Sequence, residues 1–482
     1  MSDTAATQSF TFLSTHIDDL SVCHNMATSF ILLPTSLCYE IEWKDTFVPD
    51  ETFMMNGHPS TSTSKKEDRP LEILIIGAGV AGVTAAYALR QSQAYQEGKL
   101  VVRLVEKRSQ ETWGGRMGFP MHLTKAARKA LDDLLIPSHS TKLLVLRQKI
   151  PILHDGLTVL SYSGKMVYRM VRDVRGWGMV ERADLISILK EGAGEVEWDI
   201  EALVGEPGME RGIEVCLKGK KEEVVRPDLI VGADGMFSAI RHCLYSDSQM
   251  VEDKLPGGFS KLPQTIINLR TTSPAMRRWV HDPNGMNLLY GESFSATMMP
   301  LSFPSIYVAL TIPSQWLNPS SQVRMKGEEI KLEPTVHGKF LRQLERDPGW
   351  EKKETYPLWS ATSTVGGKGR VVLVGDAAHG MPPFCGAGAS AGVIDAVELA
   401  KVIVDHLNGV DPVNNLDDVL RGFRESMKKR NDPIIRQSKR ILWLVQAERW
   451  YENAIRRAVF FILDLGERIS AQRGRKVAAA RP

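Results

Sequence analysis

The sequence predicts an α/β protein in which a parallel sheet flanked by helices is interleaved with a second lobe of mixed or antiparallel sheet and followed by C-terminal helices. Three observations predict it. After Pro70, a fully apolar run, Ile73 to Ile76, enters the turn Gly77-Ala78-Gly79-Val80-Ala81-Gly82, then a helical segment from Val83 to Arg90 and a second apolar strand, Val101 to Val105; this is the order of a βαβ unit. Between about residues 255 and 355 the chain is rich in Pro, Met and aromatics with alternating stretches such as SIYVALTI, the pattern of an antiparallel sheet with two unlike faces. From Ala391 the pattern turns helical, and residues 434 to 469 read as helical and basic to the end.

Taken in order, residues 1–57 show no sustained periodicity, and His58 to Pro70 is a polar Ser/Thr-rich linker bounded by prolines. Residues 1–69 are therefore expected to be a disordered or peripheral extension, and translation from Met54 or Met55 would leave a compact chain. Leu71 to Leu89 is apolar enough to be weighed as a membrane span, but its glycine spacing reads as a buried strand entering a helix. Further strands are expected at Val224 to Val231, Ile306 to Ile312 and Val371 to Val374. The partition that follows gives a first lobe from residues 70–150, 181–250 and 359–420, a second lobe from 151–180 and 251–358, and helices over 421–482.

The net charge of +3 from 60 Lys plus Arg and 57 Asp plus Glu hides an asymmetry. Residues 1–69 are acidic, residues 421–482 strongly basic, and the body between them is close to neutral. A nucleic-acid protein would carry its basic face through the fold, so that class is excluded. With 43% apolar and 24% charged residues the chain is ordinarily globular. Its five cysteines form no CxxC pair and no zinc spacing, which suits a reducing, cytoplasmic setting without metal.

The glycine turn carries the first chemistry. Gly77 permits the tight turn, Gly79 admits a pyrophosphate close to the backbone, and Gly82 lets helix and strand pack closely. Glu106, at the end of the next strand, is placed to accept from ribose hydroxyls. The helix N-terminus adds unpaired N–H groups and a positive dipole end. This turn fits FAD and NAD(P) equally. A second strand ends in Gly375-Asp376-Ala377-Ala378-His379, followed by the loop Pro382 to Ala389 and a helix. It is a second place where a polar ligand meets a helix N-terminus, which a dinucleotide as large as FAD would use and NAD alone would not.

With GAGVAG, GADG at Gly232 to Gly235 followed by Ser238 and Arg241, and GDAAHGMPPFCGAGAS in this order, the chain resembles the FAD-dependent monooxygenases of the para-hydroxybenzoate hydroxylase type, over roughly residues 71–440. ERADLISIL resembles their Arg-x-x-Leu helix start, and Trp113 to Leu131 their crossing segment. The resemblance implies a Rossmann-type FAD-binding domain interleaved with a substrate domain. In it Gly77, Gly79, Gly82 and Glu106 hold the ADP half of FAD, Arg182 reaches the cofactor, and Asp234 and Gly235 serve FAD and NAD(P)H. Asp376 bonds the ribityl chain or diphosphate, and Gly386, Gly388 and Ala389 turn N–H groups toward the isoalloxazine. Ala387 departs from the polar residue usual between the two loop glycines, and Cys385 reads as a small packing residue.

The same resemblance implies that NAD(P)H reduces the flavin and that one atom of O2 enters an organic substrate through a hydroperoxide at flavin C4a. The loop and the crossing segment resemble those of fungal secondary-metabolism members. No single catalytic side chain is implied; His154, Tyr162, Tyr168, His281, Tyr290 and Arg270 are candidates that no spacing singles out. Met286, Leu288, Leu289, Phe294, Met298, Met299, Phe303, Tyr307 and Trp316 are expected either to line a pocket for a bulky aromatic or terpenoid-like substrate or to form the lobe's own core. Trp443, Trp450 and Phe460, interleaved with Arg and Lys, suggest peripheral membrane contact by the last helices. The halogenase string Trp-x-Trp-x-Ile-Pro does not occur.

Overall fold

The computed structural model describes residues 69–479 apart from 115–118, 149–156, 171–177, 205–213, 220, 246–252, 318–337, 411–414 and 448; the expected N-terminal extension and His154 lie outside the described residues. The chain enters as β1 (Leu71–Ile76), turns into helix α1 (Val80–Arg90) and returns as β2 (Leu100–Glu106), parallel to β1. It crosses through β3 (Pro120–Leu123), forms the hairpin β4 (Leu157–Ser161) and β5 (Met166–Met170), and comes back along β6 (Gly178–Glu181), antiparallel to β3. Next come α2 (Arg182–Ala193), β7 (Glu197–Trp198), and an antiparallel flap of β8 (Glu201–Val204), β9 (Val215–Lys218) and β10 (Glu222–Val225), then β11 (Leu229–Gly232). A second excursion supplies β12 (Lys254–Leu255), β13 (Phe259–Thr271), β14 (Met286–Tyr290), β15 (Ser295–Pro300), β16 (Ile306–Pro313) and β17 (Glu354–Ala361). The chain then passes through β18 (Gly367–Lys368) and β19 (Val371–Leu373) into helices α3 (Gly388–Leu407), α4 (Leu416–Val445) and α5 (Trp450–Ala479).

The first sheet has the order β18-β19-β11-β1-β2-β7 and is parallel except for β18. Its central strand β1 is covered on both faces, which is why its sequence is a continuous apolar run rather than an alternation. Helix α1 is buried from Gly82 to Leu89 and is accordingly apolar all round. The second sheet runs β12-β13-β16-β15-β14-β4-β5, with β17 also on β13, and is antiparallel except for β14 against β4.

Register divides that second sheet into two faces, because successive side chains on a strand alternate. One face carries Ile267, Leu269, Leu289, Met298, Val308 and Leu310 and packs on Phe340, Leu341 and Leu344 of the helix Lys339–Glu345. The other carries Asn268, Arg270, Leu288, Tyr290, Thr297, Met299, Tyr307 and Ala309. It turns toward the first lobe: Leu288 and Tyr290 pack on Phe384, Leu444 and Phe460, while Tyr307 and Met299 pack on Met179 of β6.

Two sequence expectations are corrected. Val224 to Val231 is not one strand: Pro227 lacks the N–H a ladder needs, and β10 ends before it while β11 starts after it. Residues 434–469 are not one helix, since α4 ends at Val445 and α5 begins at Trp450. Pro433 sits inside α4 without ending it. Of the residues expected either in a pocket or in the core, Leu289, Phe294, Met298 and Trp316 belong to the core on the far face, and Phe303 is exposed against Arg277.

Candidate functional site

Three turns meet at the C-terminal edge of the parallel sheet. In the first, Gly77 has φ +102°, and a Cβ there would lie 2.5 Å from the Ala233 carbonyl oxygen; a Cβ on Gly82 would lie 1.9 Å from the Gly77 carbonyl oxygen. Both glycines are demanded by the protein's own packing. Gly79 is not: its φ is −73°, and a Cβ would meet nothing nearer than Ala233 O at 4.0 Å. It stands at the N-cap of α1 with no side-chain cap, so the open space above it is room for something outside the chain. Glu106, nearly buried, accepts from Ala78 N at 2.9 Å and Arg108 N at 3.1 Å, tying the end of β2 to this turn. Trp113 Nε1 donates to Ala78 O at 3.1 Å and packs edge-on against Trp198.

The second turn follows β19. Gly375 has φ +60°, its missing Cβ lying 3.0 Å from the Ala81 methyl, which brings α1 and the N-terminus of α3 together. Asp376 is solvent-exposed yet crowded by protein, as on the floor of an open cleft. Desolvation pushes its carboxyl up, and His379, Arg182 and Arg241 oppose the rise. Arg182, the first residue of α2, is therefore near enough for its charge to act on Asp376. Gly388 opens α3, where a Cβ would find only Asp376 Oδ1 and Met381 Cγ, both at 3.9 Å. Like Gly79, it leaves space the fold does not fill. Gly386, in the left-handed region, lies against the His122 ring. Ser390 donates to His122 O at 3.1 Å and accepts from Thr124 N at 3.0 Å, and so fastens α3 beside Ala389 to β3.

The third turn holds Asp234 and Gly235 after β11. Asp234 Oδ2 accepts from Ala239 N at 2.7 Å and Ile240 N at 3.3 Å, while its Oδ1 is buried without a partner. Desolvation raises its pKa against the Ser238 hydroxyl and these backbone donors. Gly235 has φ +83° and open space about it.

Two networks beneath the site were invisible as such in the sequence. Arg241, 1% exposed, donates to Pro256 O at 3.0 Å, to Ala377 O at 2.9 Å and to Met236 O, and lies 3.7 Å over the Phe259 ring. It clamps the second and third turns and the second sheet together. Desolvation brings its pKa down to about 10, with Asp234 and Asp376 opposing. His379 is fully buried and its Nε2 lies 2.5 Å from Asp395 Oδ2, which also accepts from Gly375 N at 3.1 Å. Asp395 Oδ1 accepts from Arg430 at 2.8 Å and Asn431 at 3.2 Å. Burial favours neutral Asp395, but His379 and Arg430 outweigh it and hold the carboxyl at about 2; burial likewise opposes the His379 imidazolium, and Asp395 outweighs it and raises that pKa. The pair pins the Gly375 turn to α3 and α4. His379 thereby has a supporting role that its position after GDAA did not reveal.

The second-lobe candidates separate. Tyr168 and Tyr290 are buried and stacked on Phe460. Tyr162 and His281 are exposed. Arg270 faces the interlobe side, its Nη2 2.7 Å from Glu181 Oε2.

The arrangement fits a flavin dinucleotide: two helix N-termini converge, Gly79 and Gly388 leave room that only an external group would use, and an acid closes each end. The FAD binding domain family matches residues 189–419, a span that holds the second and third turns. The FAD-dependent monooxygenase OpS4 of Beauveria bassiana is 24% identical over 382 residues, 77% of this chain and 84% of that protein. The 3-hydroxybenzoate 6-hydroxylase 1 of Aquipseudomonas alcaligenes is 26% identical over 358 residues, 71% of this chain and 82% of that protein. Among solved structures, Klebsiella pneumoniae HpxO complexed with FAD and uric acid superposes with a TM-score of 0.61 at 17% identity, covering 83% of this chain and 94% of that one. This chain is a homologue of the FAD-dependent monooxygenases and has their fold.

Proposed function

We propose that the chain is an NAD(P)H-consuming monooxygenase that holds FAD across the three turns and inserts one atom of O2 into a bulky organic substrate, as a tailoring step in secondary metabolism. The observation that carries this is the pair of glycines, Gly79 and Gly388, that no packing within the fold requires, set at two converging helix N-termini with Asp376 between them. Bound there, FAD supplies the redox and oxygen chemistry. The chain's residues bind and orient it. The Gly79 and α1 N–H groups with Glu106 hold the ADP half, and Asp376 accepts from the ribityl hydroxyls. The Gly386 N–H is held by Pro383 O at 2.9 Å, so it is the Ala387 to Ala389 backbone that offers N–H groups to negative charge at the ring edge, the physics of an oxyanion hole. Asp234 and the open Gly235 turn serve the nicotinamide approach.

The half-buried floor of Thr297, Met299 and Ala309 on the near face of the second sheet supports a substrate site, because these small or flexible side chains stay accessible where their neighbours are closed. Such a mostly apolar recess excludes water from the reacting groups. No helix among the described residues is long and apolar enough to cross a membrane. The expected membrane contact takes a different form: Phe460 packs inward, while Trp450, Phe461, Ile462 and Leu465 of α5 are exposed beside Arg457 and Arg468, a face suited to an anionic lipid surface.

The test is NAD(P)H oxidation by the FAD-loaded protein against a panel of aromatic and terpenoid compounds under ¹⁸O2. Incorporation of one labelled atom supports the proposal. A protein that holds no flavin, or substrate-dependent oxidation that releases only hydrogen peroxide, refutes it.

A further inference from the structure

We infer that the substrate recess selects a neutral molecule that brings hydrogen-bond donors on an apolar frame, and that Asn268 and Gln446 are the residues that select it. This rests on the monooxygenase reading and adds the substrate class. Asn268 stands on β13 on the face turned toward the first lobe, in register with Ala309 of β16. It is 9% exposed, and its Oδ1 has no partner. Gln446 comes from the break between α4 and α5 and is 5% exposed. Its Nε2 donates to Ser295 Oγ at 3.0 Å and to Thr311 O at 3.1 Å. The bond to a backbone carbonyl fixes which way the amide points, so Oε1 is the atom left over, and it too is buried without a partner.

Register brings the two amides together over one patch. Thr311 is two residues along β16 from Ala309, and Ser295 and Thr297 lie opposite them on β15. The two side chains therefore flank the accessible floor of Thr297 and Ala309. A buried acceptor left unpaired is costly, and two around one recess are best satisfied together by a ligand that carries two donors.

The charges on this face argue against an anion. Arg270 is neutralised by Glu181 at 2.7 Å, and Glu354, across β17 from Asn268, adds a further negative charge and accepts from Tyr356 at 2.7 Å. At the Arg270 end a cleft of about 180 Å³ is lined by Glu181, Asp184, Arg270, Leu301, Ser302 and Ser305, again with more acid than base. A carboxylate entering at the Asn268 end would meet an unpaired acceptor and the carboxylates of Glu181 and Glu354, whereas a hydroxyl or N–H would be met by acceptors.

The experiment compares three matched sets by calorimetry on the protein incubated with FAD and then freed of excess: alkylresorcinols, the dihydroxybenzoic acids of the same skeletons, and the dimethyl ethers of the same resorcinols. The resorcinols should bind at least about tenfold more tightly than either other set. Asn268→Leu should remove their advantage over the ethers, and Asn268→Asp, which keeps an acceptor, should retain it. Acids or ethers that bind as tightly as the resorcinols, or resorcinol affinity unchanged in Asn268→Leu, overturn the inference. The visible flavin spectrum of the same samples separates the two readings. A colourless protein with Asn268-dependent resorcinol binding refutes the flavin assignment alone; a yellow protein without the preference refutes the selection alone.

Discussion

Gly79→Ala and Gly82→Ala make the same chemical change three residues apart and should fail in opposite ways. At Gly79 the backbone is extended and the added methyl has 4.0 Å of clearance to its nearest neighbour. The fold then loses only the difference between Gly and Ala at an N-cap, under about 1 kcal/mol. At Gly82 the methyl would sit 1.9 Å from the Gly77 carbonyl oxygen, with the Ala233 methyl at 3.2 Å behind it. The turn must move by an ångström or so, at a cost on the order of 1–3 kcal/mol or more. The flavin should respond the other way round, because a methyl on Gly79 occupies the room left for a diphosphate. Gly79→Ala should weaken FAD by at least about tenfold, ~1.4 kcal/mol. The assay is two measurements on each variant: chemical unfolding of the flavin-free protein, so that bound cofactor adds no stability of its own, and FAD affinity by titration. Apoprotein stability close to wild type with lost FAD affinity is expected for Gly79→Ala, and a lowered unfolding midpoint for Gly82→Ala. A Gly79→Ala protein that binds FAD like wild type would show that the open space serves something else.

Asp395→Asn leaves a buried His379 and Arg430 without their shared anion and should cost about 3–5 kcal/mol, measured by urea unfolding near neutral pH. In the wild type, Asp395 is held at about 2, below its unfolded value; its contribution, about 2 kcal/mol, is present above pH ~4 and lost as the pH falls toward 2. His379 works in the other direction: its pKa is raised, so its contribution is complete below about pH 6.5 and is lost as the pH rises through the folded value. Stability profiles of Asp395→Asn should lack both slopes. Arg241→Lys keeps the charge but cannot reach the carbonyls of Pro256, Ala377 and Met236 together, and should lose about 1.5–3 kcal/mol and shed FAD faster, as read by flavin release on dilution. Replacing Phe461, Ile462 and Leu465 by Ser should reduce co-sedimentation with anionic liposomes without changing NAD(P)H oxidation in solution; unchanged co-sedimentation would remove α5 as the contact.

The parts of this molecule written in local sequence were readable, and the parts made by long-range register were not. The β1 turn, Glu106 and the Gly375-Asp376 turn are legible because each role depends on backbone shape within a few residues: a positive φ, an uncapped helix start, the end of a buried strand. Arg241 is different. Its worth lies in carbonyls at 236, 256 and 377, and nothing in the sequence brings those three together. The apolar lining shows the same limit. Met298 and Met299 are adjacent and chemically identical, yet one fills the core with Phe340 and the other lies on the opposite face against Met179 and Tyr307. Alternation requires that they differ; which of them faces the first lobe is set by pairing with β14 and β16.

The break at residues 446–449 joins these points. Read by periodicity, the segment from 434 continued as one helix, since Leu442, Leu444 and Val445 supply apolar positions up to the break and Ile455 and Val459 resume them beyond it. Continued helix would have kept Gln446 in a row with its neighbours along α4. Instead α5 turns back over the sheet, where Arg456, 4% exposed, donates to Gly291 O at 3.0 Å and covers the Tyr290 ring at 4.1 Å, and Phe460 stacks between Tyr290 and Tyr168. That docking supplies the burial that makes ending α4 favourable, and it leaves Gln446 at the corner, reaching Ser295 and Thr311 across the sheet. The basic C-terminal segment is thus a wall of the substrate lobe on one face and an exposed surface on the other. Arg456→Met, which keeps the bulk and removes the bonds that hold α5 down, should weaken resorcinol binding through Gln446 while leaving the affinity for FAD unchanged. Loss of FAD in that variant would mean that α5 supports the nucleotide lobe instead.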